Sequence, residues 1–249
     1  MGSVKSVLDK RCTIRKYSNQ VVADDLLNEL LESAARTSTC GNMQLYSVVV
    51  TRDASVREQL APSHFNQPAS QAPVLVTFCA DYNRFNKWCL QNKAVPGYDN
   101  FESFMSALVD TVALAQSFSL LAEEKGLGIC YLGTTTYNPK EIAQTLKLPK
   151  MVVPVVTLSL GYPDEQPALT DRIPLKGWVH SDVYHDYTEQ DIDDIYSYKN
   201  DIPENKEFLK INNKETLAQI FTDIRYTKKD GDFFSEKLLA FVKEQGFLK

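Results

Sequence analysis

The sequence is poor in metal ligands. Its three histidines, His64, His180 and His185, lie far apart without metal-ligand spacing. The five cysteines, Cys12, Cys40, Cys79, Cys89 and Cys130, are odd in number and contain no CxxC pair. Neither zinc ligation nor a disulfide framework is therefore expected. Basic charge is also in deficit: 27 Lys and Arg against 32 Asp and Glu leave a net charge of -5. That balance argues against nucleic acid, whose binders carry a basic face. No apolar run approaches the roughly 20 residues that span a bilayer, so no membrane association is expected. Ser3 to Lys10 is short, polar and amphipathic, unlike a signal peptide, which leaves the cytoplasm as the expected compartment. Internal repeats and low-complexity tracts are missing, and so is the GxGxxG dinucleotide fingerprint.

Apolar periodicity supplies the fold class. Val4, Val7 and Leu8 mark a short helix, and Asp24 to Arg36 a second, with acids in its first turn and Leu27, Leu30, Leu31 and Ala34 on one face. Tyr46 to Thr51 is strand-like, and Pro73 to Ala80, apolar nearly throughout, predicts a strand in the middle of a covered sheet. A helix of some six turns is expected from Ser103 to Lys125, stopped by Gly126 and apolar on more than one face. A short strand, Ile129 to Leu132, follows. Asn138-Pro139-Lys140-Glu141 then opens a helix with an N-cap, a proline at N1 and a capping-box acid at N3. Val152 to Leu160 is the last clear strand. Cys79 and Cys130 fall in apolar strands and read as inert core residues. Beyond about Pro163 the pattern turns to prolines, aromatics and charges, with a polar stretch from Lys199 to Asn213 and closing helices around Glu215 to Ile224 and Phe233 to Gln245. Mixed helices and strands without a regular βαβ count predict an α+β fold with a C-terminal arm.

The chemistry-bearing residues begin at Arg11-Cys12-Thr13-Ile14-Arg15-Lys16-Tyr17. In an extended backbone Arg11, Thr13 and Arg15 share a face; in a helix the arginines still meet at i and i+4. Two guanidinium forks and a hydroxyl suit a phosphate dianion, although the same spacing suits a solvated basic turn. Ser38-Thr39-Cys40-Gly41-Asn42-Met43-Gln44 packs hydroxyls and amides before a strand, as a ring bearing carbonyls and nitrogens requires; a plain helix-to-strand turn has the same composition. Asn66-Gln67 adds two amides. Gly126-Leu127-Gly128 to Gly133-Thr134 places glycines on both sides of a strand, where backbone N–H groups can approach a ligand. Thr170-Asp171-Arg172-Ile173-Pro174 brings one more arginine in a proline-fixed loop.

Taken together these segments resemble the nitroreductase superfamily, in particular its NADPH-type nitroreductase and flavin reductase branch. The likeness extends through Phe78-Cys79-Ala80-Asp81-Tyr82-Asn83-Arg84, Val109-Asp110-Thr111 to Ala115-Gln116, Ala122-Glu123, Leu146-Lys147-Leu148-Pro149 and Leu160-Gly161-Tyr162-Pro163. It covers nearly the whole chain. The resemblance implies a single FMN-binding domain over 1–249, with about 163–249 as an extended C-terminal arm. It implies a mostly antiparallel central sheet flanked by helices around a long core helix, and a homodimer. By the same resemblance Arg11, Thr13 and Arg15 would hold the FMN phosphate and ribityl chain, with backbone from Cys12. Arg172 would be a second phosphate clamp, and Thr39, Asn42, Gln44 and Gln67 would touch the flavin or its tail. The backbone of Tyr131, Leu132, Gly133 and Thr134 would face the ring. The branch often has lysine at the place of Thr170 and arginine at that of Cys12, so phosphate charge would fall on Arg11, Arg15 and Arg172 alone.

What the resemblance implies for function is hydride transfer from NADPH or NADH to small-molecule acceptors, whether nitroaromatics, quinones or flavins, in ping-pong order. The hard chemistry would belong to FMN, so no catalytic side chain is expected. Other flavin chemistry on the same fold, such as dehalogenation or activated-alkene reduction, and a non-catalytic flavin-binding module remain as alternatives.

Overall fold

β-Branched and aromatic residues build β1 (Tyr46–Thr51) and β2 (Val74–Asp81), paired antiparallel with Tyr46 opposite Ala80. β3 (Gly128–Leu132) and β4 (Val152–Gly161) complete a sheet of order β1-β2-β4-β3 in which every pair is antiparallel. β2 is buried along its whole length, as its apolar run predicts. Pro154 in β4 cannot donate to the ladder, and the register with β2 shifts between Phe78 and Cys79, opposite that proline.

The computed structural model describes residues 3–248, and its contacts form two units: one runs to Leu169 and resumes at Phe234, the other is Thr170–Phe233. The first holds α1 (Val4–Lys10), α2 (Asp24–Ala34), α3 (Ala54–Leu60), α4 (Asn83–Gln91), α5 (Phe101–Glu124) and α6 (Pro139–Thr145). The Asn100 carboxamide opens α5 by accepting the Ser103 N–H at 3.0 Å. By length and composition α5 could cross a membrane, because scattered Ser, Thr and a lone Asp break the strictly apolar run without lowering its apolar content much. In this fold it is the core helix: Leu114, Ala115, Phe118 and Ala122 pack with Val76, Phe78 and Leu158 of the sheet and Leu27 and Leu30 of α2. The Phe78 and Phe118 rings meet at 5.6 Å.

At α6 the expected cap is diverted. Asn138 makes no cap bond; its Nδ2 donates to the Ser63 carbonyl and its Oδ1 accepts from Lys237, which also pairs with Glu141. A buried loop carbonyl and a lysine outcompete the helix N-terminus for this amide.

The second unit contains α7 (Glu189–Tyr196), α8 (Pro203–Asn212) and α9 (Leu217–Ile220), and α10 (Lys228–Gln245) begins there and ends in the first. Apolar periodicity does not predict α3, α4, α7 or α8. Local signals explain two of them: a Thr188–Asp191 capping box starts α7, while Pro203 at N1 and Asn213 in the left-handed region bracket α8. At the end of α10, Phe241 and Val242, with Phe247 beyond it, join Leu45, Tyr82, Phe104 and Val153 in a second core cluster.

Candidate functional site

The arginine segment is extended, not helical. α1 stops at Arg11, whose N–H donates to the Val7 carbonyl at 2.9 Å. The chain then runs along β3 and the end of β4. Ile14 N–H donates to Ile129 at 3.0 Å, Tyr17 bridges antiparallel to Pro163, and Ser18 N–H donates to Tyr162 at 2.9 Å. Two glycines allow this approach: a Cβ on Gly128 would lie 2.7 Å from Ile14, and one on Gly161 would lie 2.9 Å from the Tyr17 ring. Ile14 is buried, Arg11 lines a cleft with Glu123 and Gly128, and Arg15 lines another with Tyr17 and Arg57.

Arg11 and Arg15 differ in their surroundings. Arg11 Nε donates to Glu123 Oε2 at 3.2 Å, and that carboxylate at the end of α5 is nearly buried. Burial pushes the Glu123 carboxyl up while Arg11 pulls it back. The Arg15 side chain is exposed, and among the described residues its guanidinium makes no hydrogen bond or ion pair. Its backbone N–H and that of Lys16 both donate to Glu165, which holds that carboxyl below the usual range. A phosphate here would therefore meet side-chain donors, since Glu165 already takes the backbone ones. Thr13 and Cys12 are half-buried.

The loop before β1 is strained and clamped. Gly41, Asn42 and Gln44 have φ of +54°, +56° and +54°; such a cluster of left-handed residues persists only when its surroundings over-determine it. The buried carboxylate of Asp110 on α5 accepts the Cys40 N–H at 2.8 Å and the Leu45 N–H at 3.2 Å. Arg84 donates to the Gln44 and Tyr46 carbonyls. Gln44 Nε2 donates to Asn42 Oδ1 at 3.3 Å, so these two candidates share one hydrogen bond. Thr39, half-buried, lines a cleft with Met105 and Val109 of α5.

A second strained loop, with Phe65 at +55° and Asn66 at +51°, delivers Gln67. Gln67 Nε2 donates to Thr134 Oγ1 at 3.2 Å, and His64 Nδ1 lies 2.9 Å from the same oxygen. Burial alone pulls the His64 pKa down to about 4, which keeps the imidazole neutral near pH 7. Of the four residues from Tyr131 to Thr134, Leu132 is buried in the core and Tyr131 turns its ring onto α5, donating to Gln116 Oε1 at 3.1 Å. Gly133 is exposed, with open space where a Cβ would point. Arg172 belongs to the second unit, where its guanidinium folds back on the Thr170 hydroxyl and carbonyl and on the Asp171 carbonyl.

The fold thus sets Arg11 beside Glu123 and Arg15 in solvent on one extended segment, and joins Asn42 with Gln44 and Gln67 with Thr134. His64, Asp110, Glu123 and Arg84 have no role that their sequence context predicts. Asp110 and Glu123 carried a signal, a carboxylate within the most apolar helix; His64 carried none. All five cysteines are free, and burial pushes the thiols of Cys79 and Cys130 up, consistent with inert core positions.

These residues can satisfy a phosphate, through two guanidinium forks and a hydroxyl, and a polar heteroaromatic edge, through amides and a hydroxyl. The donor set therefore fits FMN. Residues 8–162 match the sequence model of the Nitroreductase family. An FMN reductase (NADPH) of Bacillus subtilis is 27% identical over 247 residues, 98% of this chain and 92% of the relative. An oxygen-insensitive NADPH nitroreductase of Salmonella typhimurium is 31% identical over 179 residues, 72% of this chain and 73% of the relative. The crystal structure of a Bacteroides fragilis protein, described no further than as an oxidoreductase, is 56% identical with a TM-score of 0.96, covering 98% of this chain and all of that one.

Proposed function

This chain belongs to the nitroreductase family, and we propose that it is an FMN-dependent oxidoreductase that passes hydride from NAD(P)H to nitroaromatic, quinone or flavin acceptors. The observation that carries this reading is the extended 11–15 segment. With Ile14 anchored in the core, it carries Arg11, Thr13 and a solvent-exposed Arg15 within five residues of extended chain. Relatives named for FMN and NADPH support the same assignment.

Bound FMN would supply the redox chemistry, taking a hydride and passing electrons on. The protein's part is to hold and orient. Arg11, braced by Glu123, and Arg15 neutralise the phosphate, and Thr13 adds a hydroxyl donor. Asn42, Gln44, Gln67 and Thr39 hydrogen-bond the flavin or its tail, and the backbone of Cys12 and of Tyr131 to Thr134 lies against it. Donor and acceptor would use one open face in turn, giving ping-pong order.

We read 1–249 as one FMN-binding domain, with residues from about 163 onward as an arm, working as a cytoplasmic homodimer. The α5 surface supports a second copy: Phe101, Met105, Val109 and Val112 form an exposed apolar stripe at helical spacing.

The test is direct. Purified protein should be yellow with about one FMN per subunit, and should oxidise NAD(P)H when menadione or nitrofurazone is added. A colourless protein that gains no absorbance after FMN addition and removal of free flavin would falsify the reading. Bound FMN without NAD(P)H oxidation would instead favour the binding-module alternative.

A further inference from the structure

His64 is fully buried, yet only one of its ring nitrogens has a partner. Nδ1 lies 2.9 Å from Thr134 Oγ1, while Nε2 is buried with no hydrogen-bond partner among the described residues. A neutral imidazole carries one donor and one acceptor, so the proton's position decides what Thr134 can do. With the proton on Nε2, a buried N–H would be orphaned and the Thr134 hydroxyl would be consumed as a donor to Nδ1. With the proton on Nδ1, the orphan is a lone pair, a commoner and less costly group to leave unpaired than an N–H. The Gln67 amide donates to the same Thr134 oxygen at 3.2 Å.

We infer that His64 is a positioning residue held as the Nδ1–H tautomer. Together with Gln67 it loads Thr134 Oγ1 with two donors. The hydroxyl proton of Thr134 is then forced into the one tetrahedral direction left, away from both. It becomes a fixed donor for a carbonyl oxygen of the bound flavin ring, which accepts in both redox states. A directed neutral donor at that edge favours the more electron-rich, reduced ring. The inference rests on the FMN reading of this site. It adds a residue, and a hydrogen-bond direction, that the cofactor contacts alone do not specify.

Three measurements test it. First, 15N spectra of the histidine rings near pH 7, assigned with a His64→Phe control, should give His64 a protonated Nδ1 and an unprotonated Nε2. The opposite tautomer overturns the inference. Second, His64→Asn sets an amide N–H where Nδ1 stood, whereas His64→Phe fills the space without a donor. The preference of the protein for reduced over oxidised FMN should stay within about twofold in the asparagine variant. It should fall about tenfold in the phenylalanine variant, which is about 30 mV for a two-electron couple.

Third, Thr134→Val should reproduce the phenylalanine result even if His64→Phe fails to fold. Unchanged potentials in Thr134→Val overturn the donor role. A chain that binds no FMN overturns the flavin reading and with it the use assigned to the hydroxyl, while the ring-nitrogen spectrum of that same sample still decides the tautomer.

Discussion

The carboxylate of Asp110, in the middle of the long core helix, accepts the backbone N–H of Leu45 at 3.2 Å, while its other oxygen accepts that of Cys40 at 2.8 Å. One buried side chain thereby closes both ends of the loop that carries Asn42 and Gln44. Asp110→Asn keeps the shape but offers one acceptor where two N–H groups need one each. The amide's own N–H would face a backbone N–H. We expect a loss of about 1–3 kcal/mol in urea unfolding, from the buried donor left unmade. Amide exchange should accelerate in 40–45 more than elsewhere. An unchanged unfolding midpoint would mean the loop holds its form without the clamp.

Arg15→Ala separates binding from stability. The side chain is exposed and makes no ion pair among the described residues, so folding should change by no more than about 0.5 kcal/mol. FMN affinity should fall about 30- to 1000-fold, equivalent to about 2–4 kcal/mol for a charge-assisted phosphate contact. Equilibrium dialysis reads this directly. Stoichiometric FMN retained by the variant would reduce Arg15 to a surface charge.

His64 gives a pH dependence whose sign is fixed. Its ordinary pKa is 6.5 and burial lowers it to about 4 in the folded chain. Between those values the unfolded chain takes up a proton that the folded chain refuses. The stability His64 contributes is therefore intact above pH 6.5, declines as pH falls toward 4, and is constant below that. The full loss is about 3 kcal/mol. Unfolding curves at several pH values should show a shallower acid decline for His64→Asn than for the natural sequence; parallel declines would assign the acid sensitivity to carboxylates alone.

Self-association should run through α5. Val109 lies mid-stripe and is 60% exposed, so Val109→Glu sets a charge in the surface expected to meet a second copy. Light scattering should report a dimer for the natural chain and a shift toward the 28.2 kDa monomer for the variant. A flavin-loaded natural chain that stays at monomer mass at micromolar concentration would end the dimer proposal.

A modest preference for NADPH over NADH is expected, resting on lysines and not on an arginine fork. Of the four lysines between 199 and 214, Lys199, Lys206 and Lys214 pair with Asp171, Asp201 and Asp223. Lys210 makes no ion pair among the described residues, which leaves it the most available cation for a 2′-phosphate. Comparing kcat/KM for the two donors at low and high salt should show a small ratio that salt reduces and Lys210→Ala narrows further. A ratio of one at every salt concentration would remove the 2′-phosphate site.

Much of the frame was legible in the residues. The nearly apolar run of β2 and the six turns of α5 depend on contacts near in sequence, so side-chain periodicity alone specified strand and helix. Tertiary structure decided what distant partners do to single side chains. Asn138 has every local mark of an N-cap, yet Ser63 and Lys237 take its amide. Tyr131 alternates as a strand residue should, but its hydroxyl is claimed by Gln116 and Ser119 of α5. His64, Gln67 and Thr134 meet only because two loops far apart in sequence close on one oxygen. The spacing of residues along a chain sets which face a side chain takes. A hydrogen bond lasts only within about 3 Å and a narrow angle, and that geometry exists only after the sheet and helices have packed.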